Sequence, residues 1–315
     1  MTSIAPASFG AALLAARDAA GSQHYPQATL YVVATPIGNL ADITLRALHV
    51  LQMVDAVACE DTRHTQSLLR AYGIDRPGAQ LLALHQHNES EAAQTVIARL
   101  AAGERIAYVS DAGTPGVSDP GARLVAAARE AGHRVLPLPG ASSVTTLVGA
   151  AGLVAAGDAG SAFVFGGFLP SKAGERDAAV LLLADEPRSV VLLEAPHRIE
   201  ALAGALARLG ERRVTVGREL TKQFEEIATV AAAALPAWFA ASRDRTRGEF
   251  ALVLHPLPAA VDDGVEGERV LRLLLAELPV KSAVRIAAEI SGAPRNALYE
   301  AALRLRKAGD AAIEP

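Results

Sequence analysis

The densest chemistry-bearing stretch is VSDAGTPGVSDPG, residues 109–121. It gathers Gly113, Pro115, Gly116 and the Asp-Pro-Gly of 119–121 where a β-rich run gives way to a helical one. Glycines let a backbone approach a ligand closely, and the exposed amides of such a turn bind carboxylate or phosphate. Asp111 and Asp119 add negative charge. That disfavours a polyphosphate and suits a ligand carrying an ammonium or hydroxyls. Asp119 has a second reading, as N-cap of the helix that follows, with Pro120 at the first helical position. Two more Gly/Pro turns, TPIGN (35–39) and PLPGASS (137–143), follow strand-like runs, and Ser142 and Ser143 stand where helix caps belong. Neither GxGxxG nor GxxxxGK[ST] occurs, so the fingerprints of dinucleotide and P-loop sites are absent.

Titratable groups collect at other strand ends. CEDTRHTQ (59–66) brings Glu60, Asp61, Arg63 and His64, and HQHNE (85–89) brings His85 and His87, which alternate onto one face of an extended chain. A polar cleft lining is the better reading of these histidines than a metal site. EAPHR supplies Glu194, His197 and Arg198, and GRELTKQFEE (217–226) supplies Arg218, Glu219, Lys222 and Glu225. Acids, bases and cations at strand ends are what removal of a proton from a hydroxyl requires. Asp61, His64, His85, Glu194, His197 and Lys222 are the candidate proton acceptors, with Asp61 and Lys222 preferred.

Loops at the carboxyl ends of parallel strands hold ligands in open α/β sheets, so strands and helices must alternate to position these residues. They do. TLYVVAT (29–35), DAVACE (55–60), QLLALH (80–85), RIAYVS (105–110) and HRVLPLPG (133–140) read as strands separated by helical patterns. The first helical pattern, ITLRALHVLQMV, is expected to be capped by Asp42, and helices over 62–71 and 91–103 follow. This predicts a parallel-sheet α/β domain over 29–155. A second α/β domain over 161–256, after the linker AAGDAGS (155–161), lacks the regular alternation and predicts a mixed sheet. The tail, 265–315, carries three helical patterns, and SGAP (291–294) breaks two of them into a helix-turn-helix-like module. Lys281, Arg285, Arg295 and Arg304 make it locally basic, which fits either an RNA-docking face or a helical cap with solvated charges. Residues 1–28 read as a poorly ordered extension.

Composition sets the outer limits. The chain has 315 residues, 51% of them hydrophobic, enough for a sizeable core. One Trp, five Tyr and seven Phe leave that core to Ala, Val, Leu and Ile, which suits strands buried on both faces. A net charge of −4 is not that of a protein coating nucleic acid throughout. The single Cys59 excludes an intramolecular disulfide and a Cys-rich zinc site. No signal peptide or membrane span is read, and a cytoplasmic location is expected.

TPIGNLADIT, CEDTRHT, SDAGTPGVSDPG, PLPGASS, FGGFLP, LEAPHR, GRELTKQFEE and GEFALVL fall in the order seen in the tetrapyrrole methylase superfamily, which the chain resembles over about residues 29–256. Their wording is similar to its bacterial branch that methylates a cytidine 2′-hydroxyl in the decoding region of 16S rRNA. The resemblance implies two α/β domains with S-adenosylmethionine (SAM) in the cleft between them, a homodimer, and 16S rRNA or the 30S subunit as partner. It implies a cofactor site including Ile37, Gly113, Thr114, Pro115, Val117, Ser142, Ser143, Glu194, Ala195, and Glu249 or Phe250, to which the loop reading adds Asp111. On the RNA side it leads us to expect Arg63, His85, His197 and Arg198, then Lys281, Arg285, Arg295 and Arg304 of the tail. Asp61 or Lys222 would accept the ribose proton or position the ribose. Asp61 and Arg63 could instead hold the backbone or a domain contact, and Lys222 could only neutralise a phosphate. Fold does not fix substrate. Methylation of a tetrapyrrole or other small molecule, and a non-catalytic RNA-binding assembly factor, are the competing readings.

Overall fold

The computed structural model describes residues 9–85, 89–119, 121–154, 162–257 and 265–311. Both α/β halves lie in one compact unit, and the helical tail forms another.

The first half is a five-stranded, all-parallel sheet in the order β3-β2-β4-β1-β5. The strands are β1 (Thr29–Val33), β2 (Ala56–Cys59), β3 (Leu81–Ala83), β4 (Ile106–Val109) and β5 (Arg134–Leu138). Strand parity sends alternate residues to opposite faces. Tyr31, Val33, Val57, Cys59, Ala107 and Val109 pack on one side against α1 (Gly10–Ala20), α2 (Leu45–Met53) and α3 (Thr62–Ala71). Leu30, Ala56, Ala58, Ile106 and Tyr108 pack on the other against α4 (Glu89–Ala101) and α5 (Gly121–Glu130). Burial on both faces is why these strands read as continuous apolar runs.

Two sequence expectations change here. Residues 10–20 are a helix with structural weight. Its Ala16 and Ala20 are buried, and Phe9, just before it, meets the Tyr72 ring edge-on at 5.1 Å. Tyr25 is also buried, its ring beside Tyr31 and His49. The small Ala side chains that made this stretch look featureless are what allow close packing on α2. Asp42 does not cap α2. It ends a short 3-10 turn capped by Asn39, and Thr44 accepts the Ala47 amide at 3.1 Å instead. The linker 155–161, His87 and Pro120 lie outside the described residues.

In the second half β6 (Phe163–Gly167), β7 (Ser189–Glu194), β8 (Arg213–Arg218), β9 (Glu226–Ala231) and β10 (Phe250–Leu254) form a mixed sheet, ordered β6-β7-β10-β8-β9. Only β6 and β7 run parallel. One face buries Val190, Leu192, Val214, Val216 and Leu252 against α7 (Ala173–Ala184), α8 (Ile199–Leu206) and α9 (Leu235–Ala240). The other face packs Val191, Ala251 and Val253 against Val144 and Leu147 of α6 (Ser143–Ala150), with Ile37 and Val117 from first-half loops joining the cluster.

The tail is α10 (Val265–Leu275), α11 (Val280–Ser291) and α12 (Arg295–Ala311) around Leu271, Ala283, Val284, Ala287, Leu298 and Ala302. Gly292, at φ 74°, ends α11 in the left-handed conformation that glycine favours, which makes the sharp turn into α12. Among the described residues no helix is long and apolar enough to cross a membrane.

Candidate functional site

In the first sheet the chain moves outward in one direction from β1 to β2 and in the other from β4 to β5, so the strand order reverses between β1 and β4. Such a switch point opens a crevice at the carboxyl ends of the strands. Here the two loops are stitched across it. Thr35 and Gly113 exchange both backbone hydrogen bonds at 3.0 Å, and the Thr35 hydroxyl donates to the Ser110 carbonyl at 3.1 Å. The Thr114 hydroxyl donates to the Ala141 carbonyl at 3.0 Å, which ties in the loop after β5. Gly113 has φ 83°, and a Cβ there would meet Ile37 Cγ2 at 3.2 Å. The expected residues Ile37, Gly113, Thr114, Pro115 and Val117 are therefore held close together.

Asp119 is committed to the loop itself. It accepts the Gly116 amide at 2.6 Å, the Gly121 amide at 2.8 Å and the Tyr108 hydroxyl at 2.8 Å. The capping reading thus holds for it. Ser142 is the N-cap residue of α6, yet its hydroxyl caps no amide. It is buried beside the crevice loops and free of that duty, with Ser143 next to it at the first helical position.

An acidic chain runs along the rim. Glu60 accepts the Asp111 amide at 3.2 Å, Asp111 accepts the Asp61 amide at 3.3 Å, and Asp61 accepts the Arg63 and His64 amides at 2.8 and 3.3 Å. Burial, then the nearby Asp111 and Asp119 charges, push the Glu60 carboxyl up against the relief of its one amide bond. The two amide hydrogen bonds at the start of α3 hold Asp61 below the usual carboxylate range. Asp61 is thus a helix cap with a weakened affinity for protons, which argues against it as base.

The second half supplies Glu194 at the end of β7. One oxygen accepts the Ala195 amide at 2.9 Å and lies 3.1 Å from Arg198 Nε. The other is buried with no hydrogen-bond partner. Arg198 also donates to the Leu169 carbonyl, while its Nε is buried with no hydrogen-bond partner. His85 and His197 are exposed. The side chain of Phe250 is 3% exposed and packs edge-on against Phe239 at 5.8 Å, so only its backbone could meet a cofactor. Strand parity turns its side chain into the core with Leu252 and Leu254.

GRELTKQFEE forms a strained loop. Glu219 and Thr221 have φ 51° and 66°, a region in which non-glycine residues are uncommon. Lys222 Nζ donates to Glu219 at 2.8 Å and to Glu249 at 3.0 Å. Partial burial works against its charge, but the two carboxylates outweigh it and raise its affinity for the proton. Lys222 is thus held as an ammonium, which favours the ribose-positioning alternative for it over proton acceptance. Its stem covers the TPIGN turn, where a Cβ on Gly38 would fall 2.4 Å from Lys222 Cγ. Sequence reasoning missed this contact between the halves, since nothing local to either motif encodes it.

The tail's cations lie on its surface. Arg285 and Arg295 share Glu289 at 3.3 and 3.6 Å, Arg304 pairs with Glu268 at 2.7 Å, and Lys281 is exposed. Such surface pairs are weak and open to competition by phosphate.

Comparison with known proteins places most of the chain among its relatives. Residues 29–236 match the family model of Tetrapyrrole (Corrin/Porphyrin) Methylases, and residues 261–306 match the RsmI C-terminal HTH domain. Ribosomal RNA small subunit methyltransferase I of Escherichia coli O157:H7 is 48% identical over 280 residues, covering 88% of this chain and 95% of that protein. The protein of that name from Pseudomonas aeruginosa PAO1 is 46% identical, covering 88% and 97%. Among solved structures, cobalt precorrin-4 methyltransferase shares the fold with a TM-score of 0.53 at 19% identity, covering 72% of this chain and 94% of that one.

Proposed function

The chain belongs to the tetrapyrrole methylase family, and from that membership we propose that it transfers a methyl group from SAM to the 2′-hydroxyl of a cytidine in the decoding region of 16S rRNA. The observation that carries this reading is the near-full-length identity to proteins named as rRNA small subunit methyltransferases. It spans both the crevice and the helical tail. The same reading makes the protein a cytoplasmic homodimer acting on 16S rRNA or the 30S subunit.

The residues present fit SAM. Glu194 offers a buried, unpartnered carboxylate oxygen, an acceptor suited to an amine or hydroxyl donor. The crevice beside it is walled by Ile37 and Val117 and roofed by a glycine loop with no basic side chain between 109 and 121, apt for a ligand that is not a polyphosphate. Ile37, Gly113, Thr114, Pro115, Val117, Ser142, Ser143, Glu194 and Ala195 would hold it, with Asp111 at the rim. Bound there, SAM supplies an electrophilic methyl on a sulfonium. The stitched loops would hold the ligand's surroundings rigid, and positioning of this kind would supply a large share of the acceleration in an in-line displacement. Lys222, as ammonium, holds the ribose oxygen or a phosphate. Arg63, exposed at the rim, meets the RNA backbone. The tail's Lys281, Arg285, Arg295 and Arg304 add phosphate contacts.

Labelled SAM, incubated with naked 16S rRNA, 30S particles or porphyrinogens, tests the reading. Label recovered as 2′-O-methylcytidine is the expected result. Label in a porphyrinogen favours the small-molecule reading, and RNA binding without transfer favours the assembly factor; either sinks the proposal.

A further inference from the structure

The outer face of α3 bears a groove of about 370 Å³ that lies outside the crevice. Arg63, Gln66, Ser67 and Arg70 line it from the helix, with Gly78 and Leu81 opposite. We propose that this groove binds the sugar–phosphate backbone of single-stranded RNA next to the methylated nucleotide. The inference rests on the RNA methyltransferase reading and deepens it by naming where the flanking strand runs.

Three observations converge. First, the lining chemistry is that of a backbone site. It offers two guanidiniums, an amide and the hydroxyls of Thr62 and Ser67, and among the described residues that line it none is aromatic. Phosphates are therefore gripped there and bases are not stacked. Second, spacing fits an extended strand. Arg63 and Arg70 are seven residues apart, two helical turns on one face, and so about 10 Å apart along the axis. That reaches more than one nucleotide. Third, the groove starts at Thr62, the residue after Asp61 of the acidic rim described above. Arg63 follows Asp61, whose amide is bonded to Asp111 of the glycine loop. A strand leaving the crevice past Asp61 meets Arg63 first and Arg70 next.

The cations are available. The Arg63 side chain is 94% exposed and lies 3.8 Å from Asp61. Arg70 pairs with Asp75 at 3.3 Å, both well exposed, and Gln66 reaches the same carboxylate at 3.4 Å. Pairs of this kind contribute little and yield to a phosphate. Gly78 lines the groove, and a Cβ there meets nothing within 4 Å, so a side chain at this position starts in open space beside the lining.

The test compares the full-length protein with Arg63→Glu/Arg70→Glu, with Gly78→Leu, and with Arg129→Glu as a charge control on the exposed side of α5. Affinity for a single-stranded RNA oligonucleotide spanning the decoding segment is titrated against salt, and SAM affinity and melting are measured beside it. We expect the double variant to bind RNA at least tenfold more weakly, with a salt slope shallower by about 1.4, two phosphate contacts at about 0.7 each. Gly78→Leu weakens RNA binding with no charge change, Arg129→Glu does neither, and SAM affinity holds throughout. Wild-type RNA affinity and slope in folded groove variants overturn the groove while the methyltransferase reading stands. A loss confined to assembled 30S particles, with naked RNA unaffected, assigns the groove to a ribosomal protein and overturns it as well. A wild-type protein that methylates no RNA removes the parent reading and the groove together.

Discussion

Replacing Gly38 by Ala tests whether the two α/β halves are locked through Lys222. The new Cβ would fall 2.4 Å from Lys222 Cγ, 3.0 Å from its Cε and 3.0 Å from Thr221 Oγ1. Cγ is near the root of the side chain, so a small swing of the tip does not relieve the contact; Lys222 must change rotamer. In doing so it leaves Glu219 at 2.8 Å and Glu249 at 3.0 Å. The first pair is about three-quarters buried on both sides, while Glu249 is mostly exposed. After discounting for solvent, the two pairs together are worth about 1–2 kcal/mol. That lowers Tm by about 2–8 °C in a unit of this size. A double-mutant cycle isolates the cause. Lys222→Ala removes the clashing atoms, so Gly38→Ala should cost little in that background, giving a coupling of about 1 kcal/mol or more. Thermal and urea unfolding of the four proteins supply the numbers. Equal destabilisation by Gly38→Ala with and without the Lys222 side chain refutes the lock.

Other outcomes follow from the same geometry. Gly113→Val places a β-branched residue at φ 83° against Ile37, which costs about 1–3 kcal/mol of stability. It should also weaken SAM binding at least tenfold by calorimetry; unchanged affinity in a folded variant removes Gly113 from the site. Phe250→Ala should cost about 3–5 kcal/mol while SAM affinity holds below the melting range, since its ring sits against Phe239. A selective loss of SAM binding there would restore the side chain to the site. Asp61→Ala should lower Tm at neutral pH and leave single-turnover methylation close to wild type. Because the folded-state pKa of Asp61 is depressed, its stabilisation is present above the ordinary carboxylate pKa of about 3.9 and fades as pH falls through the folded value. A Tm difference that grows on acidification contradicts the capping role. Removing Lys281, Arg285, Arg295 and Arg304 together should weaken RNA binding and flatten its salt dependence with SAM affinity intact. A wild-type slope makes the tail a structural module.

What the sequence could reveal depended on how local the signal was. The helix over 62–71 was readable from its pattern alone, and the structure adds that Asp61, read as a site residue, is its cap. The start of α2 was not. Asp42 and Thr44 are both capping types, and only the 3-10 turn begun by Asn39 decides between them. The glycine loops and their place at strand ends were legible from composition and alternation. That the Phe250 side chain faces the core was not legible, because an unbroken apolar run hides which face each residue takes; its partner Phe239 is eleven residues earlier and on another element. The positive φ of Glu219 and Thr221 has no residue signature at all, since sequence flags such conformations through glycine or asparagine. Arg70 and Gly78 stood outside every motif, and only folding brought them to one groove.

The stitch between Thr35 and Gly113 has a consequence for synthesis. A chain made from its N-terminus exposes the TPIGN turn early, yet that turn gains its bridge only after β4 has emerged and its cover only after Lys222 has. The crevice is thus among the last features a nascent chain can complete, though its first wall is among the earliest made. Contacts so distant in sequence form slowly. Cofactor capture during refolding should lag the recovery of helical signal, and fragments ending before residue 219 should fold in part without gaining the ability to bind.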